Sequence, residues 1–238
     1  MFDLHRFKAL IFIGLFFVSA PLWGQRFKGN YNFLRLNPKP YYFGINLGSN
    51  SSIYKPFRSK DFLLSDSIRL VESLKGPGMN IGLVTNLKIG DYFDFRMLPT
   101  ISFAERNITY AKNSRLNPTS QRKVSSVFVE FPFQMRYKSA PYQDKRLFVV
   151  AGMKYAYDVA SDARTKQSES LVKIAPHDFS VEYGAGIQFF LPYFIFSPEF
   201  KFSQGIGNTL IYNPNLPEST VLDKVLSRTF TISLFFEG

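Results

Sequence analysis

The charged residues of this chain repeat on one parity. Lys88, Arg96, Glu130, Arg136, Lys154, Asp158, Glu182, Glu199 and Lys201 occupy alternate positions in segments whose other positions are largely apolar. Groups of both signs on one face can pair and fill an interior, since bare buried charges are costly whereas paired, hydrogen-bonded ones are tolerated. They can instead line a proton or ion path, which needs a continuous wet lumen. His177-Asp178 is the other pair with possible chemistry. A hydrolytic site would need further carboxylates or a serine converging on that histidine. The sequence shows no such convergence, and a surface histidine is the plain alternative. No metal-ligand spacing, phosphate loop or nucleotide motif occurs. With no cysteine, a disulfide framework, a thiolate metal site and a lipid-acylated cysteine are all excluded. The expectation is therefore no catalytic, cofactor-binding or metal-binding residues.

The elements that would position the charges are strands. Residues 190–208 read FLPYFIFSPEFKFSQGIGN. Phe194, Phe196, Phe200 and Phe202 share one parity, and Ser197, Glu199, Lys201 and Ser203 share the other. Period two marks a strand with two unlike faces. The alternation recurs. Residues 41–50 set Phe43, Ile45 and Leu47 against Gly44, Asn46, Gly48 and Asn50. Residues 78–90 form a second strand carrying Lys88 and end in the turn signal Gly90-Asp91. Residues 92–106 hold Arg96, and residues 124–138 set Phe131 and Phe133 against Glu130 and Arg136. Residues 146–160 hold Lys154 and Asp158, and residues 177–191 hold Glu182. Residues 226–237 close the chain, with Phe230, Ile232 and Leu234 on the apolar face.

An apolar strand face can pack on a soluble core or point at lipid. Long polar connections at 51–77, 107–123, 161–176 and 205–225 alternate with short ones at 90–91, 139–145 and 191–193. Membrane barrels show this asymmetry, with long loops outside and short turns in the periplasm. The fold expected is all-β: an eight-stranded antiparallel transmembrane barrel of the OmpA/OmpX type. Phe131, Phe133, Phe194, Phe196, Phe200, Phe202, Phe230, Ile232 and Leu234 would face lipid, and the alternating charges would fill the lumen. About eight strands leave little room for a conducting path. The rival is a soluble exported barrel such as a lipocalin, whose one small lumen would have to hold all of those rings.

Residues 1–24 read as a secretory signal peptide: His5, Arg6 and Lys8 precede an apolar run, ALIFIGLFFV, and a processing region. The alternative, a membrane anchor, would need a run of roughly 20 residues. Residues 25–40 read as a polar, basic periplasmic lead-in, and residues 41–238 as the barrel. The formal charge is +11. Removal of Asp3, Arg6 and Lys8 leaves 27 basic and 17 acidic residues, or +10. An exported barrel rarely meets nucleic acid, so none is expected as a partner, nor is a small-molecule substrate. Lys55, Arg58, Lys60, Arg106, Lys112, Arg115, Arg122 and Lys123 could pair with lipid phosphates, or simply be solvated. Asp66-Ser67-Ile68 resembles a short glycosylation motif of exported Bacteroidetes proteins, a tripeptide common by chance.

Three segments resemble the PorT family of the type IX (Por) secretion system of Bacteroidetes. They are YYFGINLGSN at 41–50, FVEFPFQMRYKS at 128–139 and LPYFIFSPEFKFSQGIGN at 191–208. The most specific parts are Glu130-Phe131-Pro132 and Pro192-Tyr193-Phe194 with Ser197-Pro198-Glu199. The resemblance covers nearly the whole mature chain. It implies an outer-membrane barrel without known catalysis, related to gliding-motility proteins and needed for secreting cargo with a type IX C-terminal signal. The implied partners are outer-membrane lipids, including lipopolysaccharide, and other type IX components. The implied role is an accessory that contacts a larger translocon or cargo-processing machinery. A passive OmpX-like barrel for adhesion or envelope integrity is the alternative.

Overall fold

The computed structural model describes residues 29–36, 39–60, 62, 68–112, 119–160, 173–214 and 216–238. The signal-peptide reading of residues 1–24 lies outside them. Strand follows strand along the chain: β1 (Tyr41–Arg58), β2 (Ile68–Ile89), β3 (Phe93–Met97), β4 (Thr100–Lys112), β5 (Thr119–Lys138) and β6 (Lys145–Asp158). The short β7 (Lys173–Ile174) precedes β8 (His177–Phe190) and β9 (Ile195–Gly205). The short β10 (Leu210–Ile211) precedes β11 (Leu222–Glu237). Short helices accompany them, among them α1 (Tyr31–Leu36) and α2 (Pro217–Thr220).

The sheet closes on itself. Antiparallel pairing runs β1, β11, β9, β8, β6, β5, then β3 and β4, then β2, which pairs back to β1. β3 and β4 are one wall strand in two pieces, because both pair with β2 and β5. The break falls at Leu98-Pro99, where proline has no N–H for the ladder. Counting that pair once gives an eight-stranded antiparallel barrel. The period-two sequence dictates which face is which. In β9, Ser197, Glu199, Lys201 and Ser203 are buried, while Phe196, Phe200 and Phe202 lie on the outer face. Phe131, Phe133, Phe194, Phe230, Ile232 and Leu234 are also exposed on the outside.

Short turns collect at one end. The β2–β3 turn has Gly90 at φ 80°, and the β5–β6 turn has Gln143 and Asp144 at φ 49° and 57°. A positive φ is cheap for glycine alone. Asp144 is nevertheless fastened in place: its carboxylate accepts from the Phe33 N–H at 2.9 Å and from Asn32 Nδ2 at 3.2 Å. Its own N–H donates to Asn30 Oδ1 at 3.2 Å. These bonds seat α1 under the barrel. Phe33 packs edge-on to Phe190 with ring centroids 5.0 Å apart, beside Ile195. Residues 29–36 of the lead-in therefore fold onto the short-turn end.

At the opposite end the expected loops are partly strand. β1 continues beside β11 as far as Arg58, and β2 begins beside β4 at Ile68, so much of the expected 51–77 loop is paired backbone. β4 and β5 extend, paired with each other, into 107–123. Of the tripeptide at 66–68, Asp66 and Ser67 lie outside the described residues. The 205–225 connection carries β10, which pairs with β7, and α2. Its Leu210, Val221, Leu222 and Val225 pack with Tyr54 of β1 and Ile68 of β2. Burying apolar side chains there holds the long connections together as one cap.

If α1 is docked mainly through Phe33, Phe33→Ala removes about 2 kcal/mol of apolar burial. Limited proteolysis of the purified protein is expected to cut within 29–40 much faster than in the parent. The barrel should keep its folded mobility on an unheated SDS gel.

Candidate functional site

The inward side chains form one continuous polar column. Near the short-turn end, Asp94 accepts a hydrogen bond from Lys138 Nζ and lies 3.9 Å from Arg136. The Tyr42 hydroxyl donates to Asp94 at 3.3 Å and accepts from Arg136 at 3.0 Å. Arg136 Nη2 meets Glu237 at 2.8 Å. Arg96 comes next, 3.8 Å from Glu237 and 2.6 Å from Glu199. Its Nη2 also donates to Gln134 at 2.7 Å. Gln134 then donates to Glu182 at 2.7 Å and so joins this cluster to a second. In the second, Glu182 lies 3.5 Å from Lys154 and 3.2 Å from Lys201. It accepts from Ser203 at 2.7 Å, and Lys154 reaches Glu130 at 3.1 Å.

The column neutralises itself. Arg96, Arg136, Lys138, Lys154 and Lys201 face Asp94, Glu130, Glu182, Glu199 and Glu237, five charges of each sign. Removing an ion from water costs several kcal/mol, and the cost is offset only by good geometry and further hydrogen bonds. Aromatic rings stack against the guanidinium groups. Arg136 lies 4.6 Å from the Phe148 ring, and Arg96 lies 4.9 Å from Phe235. Gly186 makes room for Phe148, because a Cβ there would stand 2.4 Å from the ring. Arg106 is sandwiched between Tyr54 and Phe128, at 4.9 and 4.6 Å.

Both ends of the column are covered. At the short-turn end Arg146 lies over Phe33 of α1 at 5.2 Å. At the other end stands the apolar cap of Tyr54, Ile68, Leu210, Val221, Leu222 and Val225.

Of the nine charges singled out from sequence, Arg96, Glu130, Arg136, Lys154, Glu182, Glu199 and Lys201 meet in this column. Lys88 is half-buried beside the Tyr42 ring at the short-turn end. Asp158 is buried at the outer end of β6, where it accepts from the Ala160 N–H at 3.0 Å. Asp94, Lys138 and Glu237 join the column without having been singled out. Their parity, shared with Arg96, Arg136 and Phe235, was the available signal. Arg106, counted from sequence among possible lipid-phosphate ligands, is buried inward and unavailable for that role.

His177 and Asp178 are adjacent in an extended strand and so take opposite faces. His177 is outside, with Nδ1 2.7 Å from the Tyr155 hydroxyl. Asp178 is inside, accepting from Ser227 at 2.5 Å. The geometry gives the histidine a place among the outer aromatic rings and no carboxylate from its neighbour. Among the described residues no cluster of histidine and carboxylates could hold a metal ion.

The outer membrane protein beta-barrel domain family matches residues 23–210, and the chain belongs to that family of outer-membrane proteins. No curated protein matches the chain. Several solved structures are similar to it. Ail, the attachment invasion locus protein of Yersinia pestis, in complex with the heparin analogue sucrose octasulfate, has 13% identity. That match covers 84% of this chain and 100% of that one, with TM-score 0.36. OprG from Pseudomonas aeruginosa has 11% identity over 83% of this chain and 95% of that one, with TM-score 0.45. Neisserial surface protein A (NspA) has 8% identity over 83% and 97%, with TM-score 0.42.

Breaking one side of the Arg96–Glu199 pair should cost more than removing both partners together. Glu199→Leu is expected to destabilise the barrel by about 3–5 kcal/mol. The double variant Arg96→Met, Glu199→Leu should cost clearly less than the sum of the two single variants. Urea unfolding in lipid vesicles, followed by far-ultraviolet circular dichroism, measures all three.

Proposed function

We propose that this outer-membrane barrel is a non-enzymatic accessory of type IX protein secretion, acting by contact with a larger translocon or cargo-processing machinery. The observation that carries the contact mode is the filled lumen. A barrel whose axis is occupied by ion pairs and stacked rings, with α1 beneath and an apolar cap above, has no space for a polypeptide. Its working parts are then its outer wall and the segments beyond the membrane. The PorT-like segments at 41–50, 128–139 and 191–208 are what point to type IX secretion. They lie largely in the barrel wall, where such a protein would meet lipid and other membrane components.

The contact surface we favour is formed by residues 51–77 and 205–225. The apolar cluster joins these two stretches, so they present one unit to a partner. Ile206 and Tyr212 project from it, 61% and 58% exposed. Exposed apolar anchors of this kind suit a protein partner. The family match suits a passive barrel for adhesion or envelope integrity equally well, and cargo secretion separates the two readings.

Deleting the gene should leave cargo with a type IX C-terminal signal inside the cell, and the intact chain should restore its export. Ile206→Ser with Tyr212→Ser should lower that export about tenfold, as loss of interface anchors does, while the amount of folded barrel stays unchanged. Continued export in the deletion strain would rule out the secretion role and favour the passive barrel.

A further inference from the structure

We propose that the outer wall beside β1 and β11 carries a binding site for the phosphorylated headgroup of an outer-leaflet lipid, built from Lys55, Phe57, Lys224 and Arg228. The register places these residues together. Phe57 pairs with Lys224, and Ile53 pairs with Arg228, with Lys55 between them on the same face of β1. That face is the one which carries Phe230, Ile232 and Leu234 further down β11. Arg228 follows Phe230 by one outward step. The cations thus begin where the apolar band ends, at the height expected of lipid headgroups on the long-connection side.

The local geometry favours an anion. Lys55 Nζ lies 4.9 Å from the centre of the Phe57 ring and Lys224 Nζ lies 4.7 Å from it. Two ammonium groups are gathered on one ring, and among the described residues no carboxylate lies within ion-pair distance of either. Arg228 Nε donates to Gln204 at 2.6 Å, which steadies a guanidinium whose other donors can serve a phosphate. A surface depression of roughly 580 Å³ runs past Lys55, Phe57 and Arg228, with Arg58 at its edge and Glu72 as its acidic member. A phosphate group neutralises the like charges, while acyl chains run down the aromatic wall below. Lipid fits better than a soluble anion because the cations continue directly into the apolar band.

This site needs only the outer-membrane location. It is independent of the secretion role and can fail separately from it. The test uses the full chain in phosphatidylethanolamine nanodiscs containing bis-phosphorylated lipid A, or the same lipid A after phosphatase treatment. Lipid A retained per barrel after detergent exchange is counted by native mass spectrometry. The parent should retain the phosphorylated form and lose the dephosphorylated one. Each of Lys55→Gln, Lys224→Gln and Arg228→Gln should weaken retention about fivefold, and the triple variant about a hundredfold. Lys145→Gln, at the other end of the barrel, should retain lipid like the parent. Folded mobility on unheated gels checks every variant. Undiminished retention by the folded triple variant would overturn the site. Equal retention of dephosphorylated lipid A would overturn the role of phosphate. Inorganic pyrophosphate binding the parent as tightly in discs without lipid A would overturn the lipid as the source of the anion.

Discussion

In a hydrocarbon layer every backbone N–H and C=O must find its partner within the protein. Here that demand is met by pairing the first wall strand with the last. β1 and β11 run antiparallel from Gly44 opposite Glu237 outward to Arg58 opposite Leu222. At the short-turn end Gly44 lets the strands approach, since a Cβ there would stand 2.3 Å from the Phe236 carbonyl oxygen. The same closure carries the inward side chains of β11 to their partners. Phe235 comes to Arg96, and Glu237 to Arg136. The last strand therefore completes both the hydrogen-bond ring and the charge balance inside it. A chain lacking that strand would leave an open sheet edge in lipid and two guanidinium groups short of a carboxylate.

Strand number then limits what the interior can do. A ring of about eight strands is only wide enough to be filled by side chains. Arginine fills it well: its planar group forms forked bonds to carboxylates and stacks on aromatic rings. The Arg136 guanidinium does both, meeting Glu237 on one side and Phe148 on another. The interior is thus a packed polar core. Function is displaced outward, to the wall and to the cap that Tyr54 and Ile68 share with the 205–225 segment.

Much of this was legible in the sequence. Period two in the Phe194–Phe202 stretch fixes two faces, and the outward rings and inward Glu199 and Lys201 of β9 follow from it. The alternation of long and short connections gave the strand count and the two ends. Other features were hidden for physical reasons. Pro99 interrupts a strand without changing its parity, so the alternation passes over the break. Residues 51–58 place Ser52 and Tyr54 on the buried face and Ser51 and Lys55 on the outer one, so they show little of the contrast that marks the wall. Glu237 follows the aromatic run and reads as a polar tail, although its parity is that of Phe235. The docking of Phe33 and the cap formed by Leu210, Val221, Leu222 and Val225 join residues far apart in the chain. No local pattern records such contacts.

The central claim is that the lumen is closed along its length by side chains, so that the protein works through its surfaces. Single-channel recording of the purified full chain in planar lipid bilayers tests it most directly. The account predicts a current no different from protein-free bilayers across the usual voltage range. Long-lived, ion-selective openings from the folded barrel would contradict it and would make the column of charges a path.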